Sequence, residues 1–545
     1  MQIGWSTCFS IVKIHTFAPE LDPMKNIFFA SVMLFVASAA FAQPNDVAES
    51  DIKTADDKFN VANYDEALTI YLDLLSEDPK NMQYNYRIGV CYLNTNINKG
   101  KAIPYLELVT RQAEYEADAM YLLGRAYHFA YRFDDALVAY NKFKLAGKGK
   151  AENLADVDRE IQNCYNAREL MKYPVNVTFE NLGSSINSPY ADFSPFVPAD
   201  EGFLVYSTKR NDNGNLRQRD GSYFSTLSIS RVNEGGFLKS KNIGAPLSTM
   251  DGNVEVAGMS PNGDYMVLYY DDEVGTGDLY LSEMDKTKGA YKKAIKLDET
   301  INSKFFEIAA SISNDGNTIY FASNRPGGFG GMDLYVSKRL PNGKWGPAVN
   351  LGAEINTPFD EDFPSLSPDG KGLYFSSKGH TSMGGYDIFR SDLDAATQKF
   401  TGVKNLGYPI NTPEDNSNFR ISENGRYGYI SARREDGLGD LDIYRVTFND
   451  MDPKFTVMKG MVRSTDPSKK MDDLFISVTE KKSGDVFGDY LPNFNTMRYI
   501  IILPPGEYQL SAEAGGFKTI SENIKILDKS SFQAEIDRDI VLSPK

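Results

Sequence analysis

Histidine is scarce in this chain: 545 residues contain three, and only His128 and His380 lie beyond residue 42. That scarcity argues against a histidine-based catalytic triad and against a zinc site built from several imidazoles. The Gly-x-Ser-x-Gly nucleophile pattern is absent too, which removes the usual serine-hydrolase elbow. Of three cysteines, Cys8 precedes the only long apolar run. Cys91 and Cys164 fall on apolar helical stripes, so buried free thiols are expected, although an oxidising compartment permits a disulfide. Positive charge is also short: 58 Lys and Arg stand against 74 Asp and Glu, a net −16. A basic face for nucleic acid is therefore not expected, nor attraction to anionic lipid. The single long apolar run, IFFASVMLFVASAAFA, follows Met24 and Lys25 and ends at the small-x-small site Ala40-Phe41-Ala42. It is short for a membrane span and polar QPND follows at once, so residues 24–42 read as a cleaved signal peptide. Residues 1–23 read as an over-called start. No cysteine marks the cleavage site, so no lipid anchor and no direct membrane span are expected.

One phrase is present five times. NLGSSINSP begins at Asn181, NIGAPLSTM at Asn242, KLDETINSK at Lys296, NLGAEINTP at Asn350 and NLGYPINTP at Asn405, in steps of 61, 54, 54 and 55 residues. Between copies recur a tight turn (SPNGD, SNDGN, SPDGK, SENGR), an apolar strand, a Gly-rich loop and a strand of the type MDLYVS. Proline presets the first turn dihedral and glycine supplies the positive φ, so the turns read as hairpins. A fixed period of short strands is the mark of a β-propeller. The strand before the first phrase has no blade of its own. Residues 175–180 are expected to complete the blade ending near Val446, making five blades over residues 175–450 without an open edge.

These elements resemble the PD40, or WD40-like, repeats of TolB-type periplasmic propellers. The GGxD[LI][YF] and NLGxxINTP elements resemble propellers of Bacteroidetes envelope proteins that carry tetratricopeptide repeats (TPR) in front and an OmpA-like domain behind. Residues 49–172 fit the first part. Ala55, Phe59, Tyr64, Ala67, Tyr71, Leu74 and Pro79 stand at tetratricopeptide spacing, followed by copies at 89–108 and 124–143 and a capping helix at 154–171. Position in the repeat places Asn60, Asn94, Arg125 and His128 on the concave groove. Residues 453–545 alternate as short strands. Gly460, Tyr499, Leu503 and PPGEY in them resemble the carboxypeptidase-regulatory-like fold, a transthyretin-type β-sandwich. The fold class is thus multidomain α + β: TPR α-solenoid, five-bladed propeller, β-sandwich.

The whole order resembles the periplasmic OmpA-family subunit of type IX secretion and gliding machinery. The chain stops at Lys545, where that family's wall-binding domain would begin, so only indirect peptidoglycan contact is expected. The resemblance implies a non-enzymatic, exported, outer-membrane-associated scaffold whose partners are envelope proteins, with no cofactor. The alternatives are a glycan- or peptidoglycan-associated binding module, or a secreted cargo protein. Asp278, Asp333, Asp387 and Asp442 hold one position in successive blades. They could ring a cation, since oxygen ligands suit Ca²⁺, but one Asp after Gly more often satisfies loop amides; no metal is expected. Arg210, Arg325, Arg433 and Lys378 could form a cationic rim or pair with those aspartates, and pairing is the more economical expectation because charges in packed loops need partners. Phe329 and His380 are the expected exposed anchors of the loops NRPGGFGG and KGHTSMGG.

Overall fold

A computed structural model describes residues 44–96, 98–211, 216–233, 236–248, 252–271, 277–423, 425–450, 455–527 and 535–545. The expected signal peptide, 24–42, and the segment before it lie outside the described residues. The chain divides into two compact units. One takes the described residues through Cys164 together with Arg217–Ser222, and the other takes the rest. No helix of the described residues is long and apolar enough to cross a membrane.

The first unit is helical: α1 (Pro44–Asn60), α2 (Tyr64–Glu77), α3 (Met82–Asn94), α4 (Ile103–Thr110), α5 (Ala119–Phe129), α6 (Phe133–Ala146) and the start of α7 (Ala151–Leu170). Each of α1 to α5 packs on the next. Asparagine sets two of the starts: the Asn63 and Asn81 carboxamides accept the N–H of Glu66 and Tyr84, replacing backbone partners that a helix's first turn lacks. Buried Ala67, Ala102 and Ala136 let neighbouring helices approach, while Tyr71, Tyr140 and Phe143 fill the space between. Cys91 and Cys164 are buried and unbridged. Burial pushes the Cys91 thiol up to about 12 and raises Cys164 as well, so little nucleophilic thiolate forms near neutral pH. A water-soluble maleimide is expected to label neither in the native protein and both in guanidinium. Mass spectrometry before and after unfolding checks this, and rapid native labelling would contradict the packing.

Five radially arranged sheets then form a propeller. The innermost strands, Asp192–Phe196, Val254–Met259, Ala310–Ile312, Glu361–Leu366 and Ser417–Ile421, touch in succession and the last touches the first. The second and third strands of each blade follow in antiparallel order, as in Gly372–Ser377 and Asp387–Leu393 of blade 4. Val177–Asn181 supplies the outer strand of blade 5, pairing antiparallel with Asp442–Phe448 from Val177↔Phe448 to Asn181↔Tyr444. The ring is thus closed by joining the start of the repeat region to its end. The inter-blade cores are aliphatic and aromatic, for example Val267, Leu279, Ile312, Ile319 and Phe321 between blades 2 and 3.

After the propeller come two four-stranded sheets. One orders Arg498–Leu503 beside Thr456–Ser464, which also pairs in parallel with Glu535–Asp537 and Ile540–Leu542. The other orders Val486–Tyr490, Phe475–Glu480, Gly506–Glu513 and Ile520–Ile526. Alternate residues Tyr499, Ile501 and Leu503 of one and Tyr508, Leu510 and Ala512 of the other are buried in a single cluster, the period-two pattern of a strand with one wet face.

Candidate functional site

Antiparallel order brings two loops to one end of every blade: the connection between second and third strands, and the repeated phrase leading to the next blade. This end carries most of the polar residues that recur. The phrase's first asparagine (Asn181, Asn350, Asn405) donates through Nδ2 to Asp442, Asp333 or Asp387 at 2.8 Å. Its Oδ1 accepts the N–H of the glycine two residues on. It also accepts from the second asparagine (Asn187, Asn356, Asn411). That second asparagine is buried and clamps one residue of the third strand at both backbone groups. Asn356 accepts the Leu334 N–H at 2.8 Å and donates to the Leu334 carbonyl at 3.0 Å. Asn187, Asn302 and Asn411 do the same to Ile443, Leu279 and Ile388. The phrase recurs because four of the five blades use one side chain there that is donor and acceptor at once; blade 1 has Ser248 at that position. Asn356→Ala strands the Leu334 amide and carbonyl and is expected to cost about 2–4 kcal/mol. A lowered thermal midpoint for the propeller checks this, and an unchanged midpoint would contradict the clamp.

The recurring aspartates finish the same structure. Asp333 accepts the N–H of Phe329 at 2.6 Å and of Gly330 at 3.0 Å; Asp387 accepts from Met383 and Asp442 from Leu438. In blade 2, where lysine replaces asparagine, Asp278 pairs with Lys296. The double glycine before Asp is a matter of contact with the next blade. A Cβ on Gly330 would lie 1.7 Å from the Phe359 carbonyl oxygen, and one on Gly384 2.4 Å from that of Pro413.

The cations have other partners than expected. Arg210 bonds Asp192 at 2.6 Å and Arg325 bonds Glu307 at 3.1 Å, both acids being at the approach to the blade's innermost strand. Lys378 pairs with Asp360 and Arg433 with Asp440. At Asp333, Asp387 and Asp442 a single oxygen, Oδ2, takes both a loop amide and the asparagine side chain. Both guanidinium groups also donate to the phrase's isoleucine carbonyl, Ile186 or Ile301.

Blade 4 departs from this. Glu361 accepts from the Thr357 amide, Thr357 Oγ1 and Ser377 Oγ at 2.6–2.7 Å, as Glu307 does from its own hydroxyls and amide, yet no arginine joins it. The place two residues after Ser377 is Gly379, where a Cβ would stand 2.2 Å from Thr357 Oγ1. His380 Nε2 instead donates to the Ile355 carbonyl at 2.9 Å. Burial pushes Glu361 up to about 7. Neighbouring Asp362, fully buried with Oδ2 unpartnered, is also pushed up to about 7, mainly by burial.

Sequence-predicted anchors scatter. Asn60 and Asn94 are exposed, Asn94 donating back to the Val90 carbonyl. Arg125 is half-buried beside the Phe129 ring. His128 is only 3% exposed. Its Nδ1 lies 3.4 Å from Glu160 Oε2 and its ring meets Phe133 edge-on, so it belongs to the packing against α7 and not to a groove surface. His380 is likewise no exposed anchor: its ring packs on Phe375 and Phe389, and burial lowers its pKa. Phe329 is 50% exposed, and with it come two residues the sequence did not single out, Phe306 at 45% and Phe359 at 38%. Phe306 N–H donates to Asn324 Oδ1, and the Phe359 carbonyl accepts from Gly331, so all three flank the 324–331 loop. The signal was available: Phe306 and Phe359 lie in the connections that follow two copies of the phrase. Among the described residues no group of acids, histidines and cysteines is placed to hold a metal ion.

No family model matches the chain, and no curated protein matches it. Solved structures do align. TolB from Acinetobacter baumannii is 16% identical over 47% of this chain and 55% of its own, with TM-score 0.31; the chain thus spans about half of that TolB. CoXyl43, a GH43 β-xylosidase/α-arabinofuranosidase from a compost metagenome, is 13% identical over 50% of this chain and 94% of its own, with TM-score 0.34. An α-L-arabinofuranosidase from Lactobacillus brevis is 13% identical over 52% and 93%, with TM-score 0.31. Similarity at this level says nothing about activity; the five-sheet ring is a β-propeller by its own topology.

Proposed function

We propose that this chain is a non-enzymatic scaffold of the bacterial envelope, exported to the periplasm and associated with the outer membrane as an accessory of type IX secretion or gliding machinery. In this reading the helical unit is a TPR array, the C-terminal sheets are a transthyretin-like β-sandwich, and the partners are envelope proteins. One observation carries it. The recurring Asn, Asp and Arg side chains hold loops and blades together, whereas three apolar rings beside the 324–331 loop, Phe306, Phe329 and Phe359, are turned outward. Exposed aromatic clusters are the common anchors of protein interfaces. In-cell cross-linking of the tagged protein, with mass spectrometry of the recovered complex, tests this. Envelope-machinery subunits linked near the 324–331 loop are expected. Phe329→Ala is expected to reduce their recovery severalfold while changing stability by less than about 0.5 kcal/mol, since the ring is half in water.

A second reading, a glycan-binding face, is favoured by Tyr190, which is exposed and stands edge-on to Tyr223 with ring centroids 5.6 Å apart. Retention on polysaccharide with no envelope protein recovered would select it.

A further inference from the structure

Three blades place an acid at the approach to the innermost strand: Asp192, Glu307 and Glu361. Two of them set an arginine against it. Blade 5 has Asn416 and blade 2 Val254 at the same point; the Glu255 that follows in blade 2 accepts from Ser225 Oγ and has Lys209 to offset its burial. Blade 4 alone keeps the acid and lacks the arginine, and adds a second acid, Asp362, beside it. We propose that Glu361 and Asp362 make the 378–386 loop of blade 4 proton-responsive, held in mild acid and loosened above neutral pH.

The link to the loop is direct. Ser377 donates to Glu361 through Oγ and accepts the Gly379 N–H at 2.9 Å on the same oxygen. The Thr357 side chain that donates to Glu361 is also the one against which Gly379 sits. The backbone at His380 is held at a φ of +51°, a left-handed conformation that needs its surroundings to hold it.

The charged and titratable neighbours do not replace the missing guanidinium. Asp333, from the third strand of blade 3, raises Glu361 further. Asp360 raises Asp362, and Lys378 offsets this only in part because its ammonium is engaged by Asp360. Tyr386, whose hydroxyl is buried, is itself raised, first by burial and then by Asp362, Asp360 and Asp415. His380 has Glu354 near it, but burial disfavours its cation.

The sign follows. A carboxyl with a raised folded-state pKa binds its proton more tightly folded than unfolded. It therefore contributes stability below its ordinary pKa, and that contribution is lost as pH rises through the folded value near 7. Between pH 6 and 8.5 one such carboxyl favours local opening by roughly tenfold, and the pair by more.

Hydrogen exchange of the full chain, corrected for intrinsic rates, tests this at pH 6 and 8.5. Peptides covering 378–386 are expected to lose protection about tenfold or more at the higher pH. The matching 324–331 loop of blade 3, whose Glu307 has Arg325, serves as an internal control and is expected to hold. Equal behaviour of the two loops in the unmodified protein overturns the proposal. Glu361→Gln with Asp362→Asn is expected to abolish the difference, and its persistence in that variant would also overturn it.

Discussion

Deleting Val177–Asn181 is expected to leave the propeller unable to close and the protein unable to remain a monomer. This strand is the outer edge of blade 5, and it lies more than 260 residues before its partner Asp442–Phe448 in the chain. Without it the third strand of blade 5 presents an unpaired edge over the five residues Tyr444–Phe448, which is the template for pairing with another chain. More than the ladder is lost. Asn181 donates to Asp442, which in turn holds the Leu438 amide, and Arg445 pairs with Glu180. Phe179 packs with Val175 and Val177 against the core containing Phe419, Ile430, Tyr444 and Val446. The ladder, the polar relay and the apolar contact fail together, so the loss exceeds that of any single side-chain replacement in the blade. Size-exclusion chromatography should show oligomer or aggregate, and hydrogen exchange should show Tyr427–Ala432 and Asp442–Phe448 unprotected. A monomer with an unchanged melting temperature would disprove closure by this strand.

The closure was legible in the sequence because counting strands leaves one too many before the first blade and one too few after the last. The period itself was legible for a related reason: a ring of near-equivalent blades repeats the same local problem, and the same residues solve it. What the repeat did not disclose is which polar groups meet. Arg325 and Asp333 are close in sequence and alternate with the period, so pairing them is the economical guess. The fold instead turns Asp333 toward loop amides and brings Glu307 to Arg325 from across the sheet. The misplacement of His128 has a comparable cause. A position in a helical repeat names a face, but α7 covers that face here, and Glu160 on it gives the imidazole a buried partner. Phe306 and Phe359 were missed because neither belongs to the repeated phrase proper. Glu361 was legible only by aligning blades on the acid and noticing that glycine stands where arginine should.

Gly258→Ala is expected to be the most damaging single substitution, costing at least about 3 kcal/mol. Gly258 lies on the innermost strand of blade 2, after the bulge between Val256 and Gly258. An added methyl would stand 1.7 Å from the Ala310 carbonyl oxygen and 2.6 Å from its carbon. Those atoms belong to the innermost strand of blade 3 and are backbone, so no rotamer change can make room. The strands must part, and in a closed ring a displacement between two blades must be absorbed by the other three. The equivalent positions carry side chains, Phe196, Ser311, Ser365 and Arg420, so the glycine answers to the local approach of these two strands and not to the repeat. Gly343→Ala separates this effect from ordinary glycine replacement. Gly343 has a φ of +81° and nothing within 4 Å of an added Cβ, so it is expected to cost only about 1–2 kcal/mol, the strain of a left-handed residue. Thermal unfolding of the two variants side by side decides the matter. If they melt alike, the ring is softer between blades 2 and 3 than its packing implies.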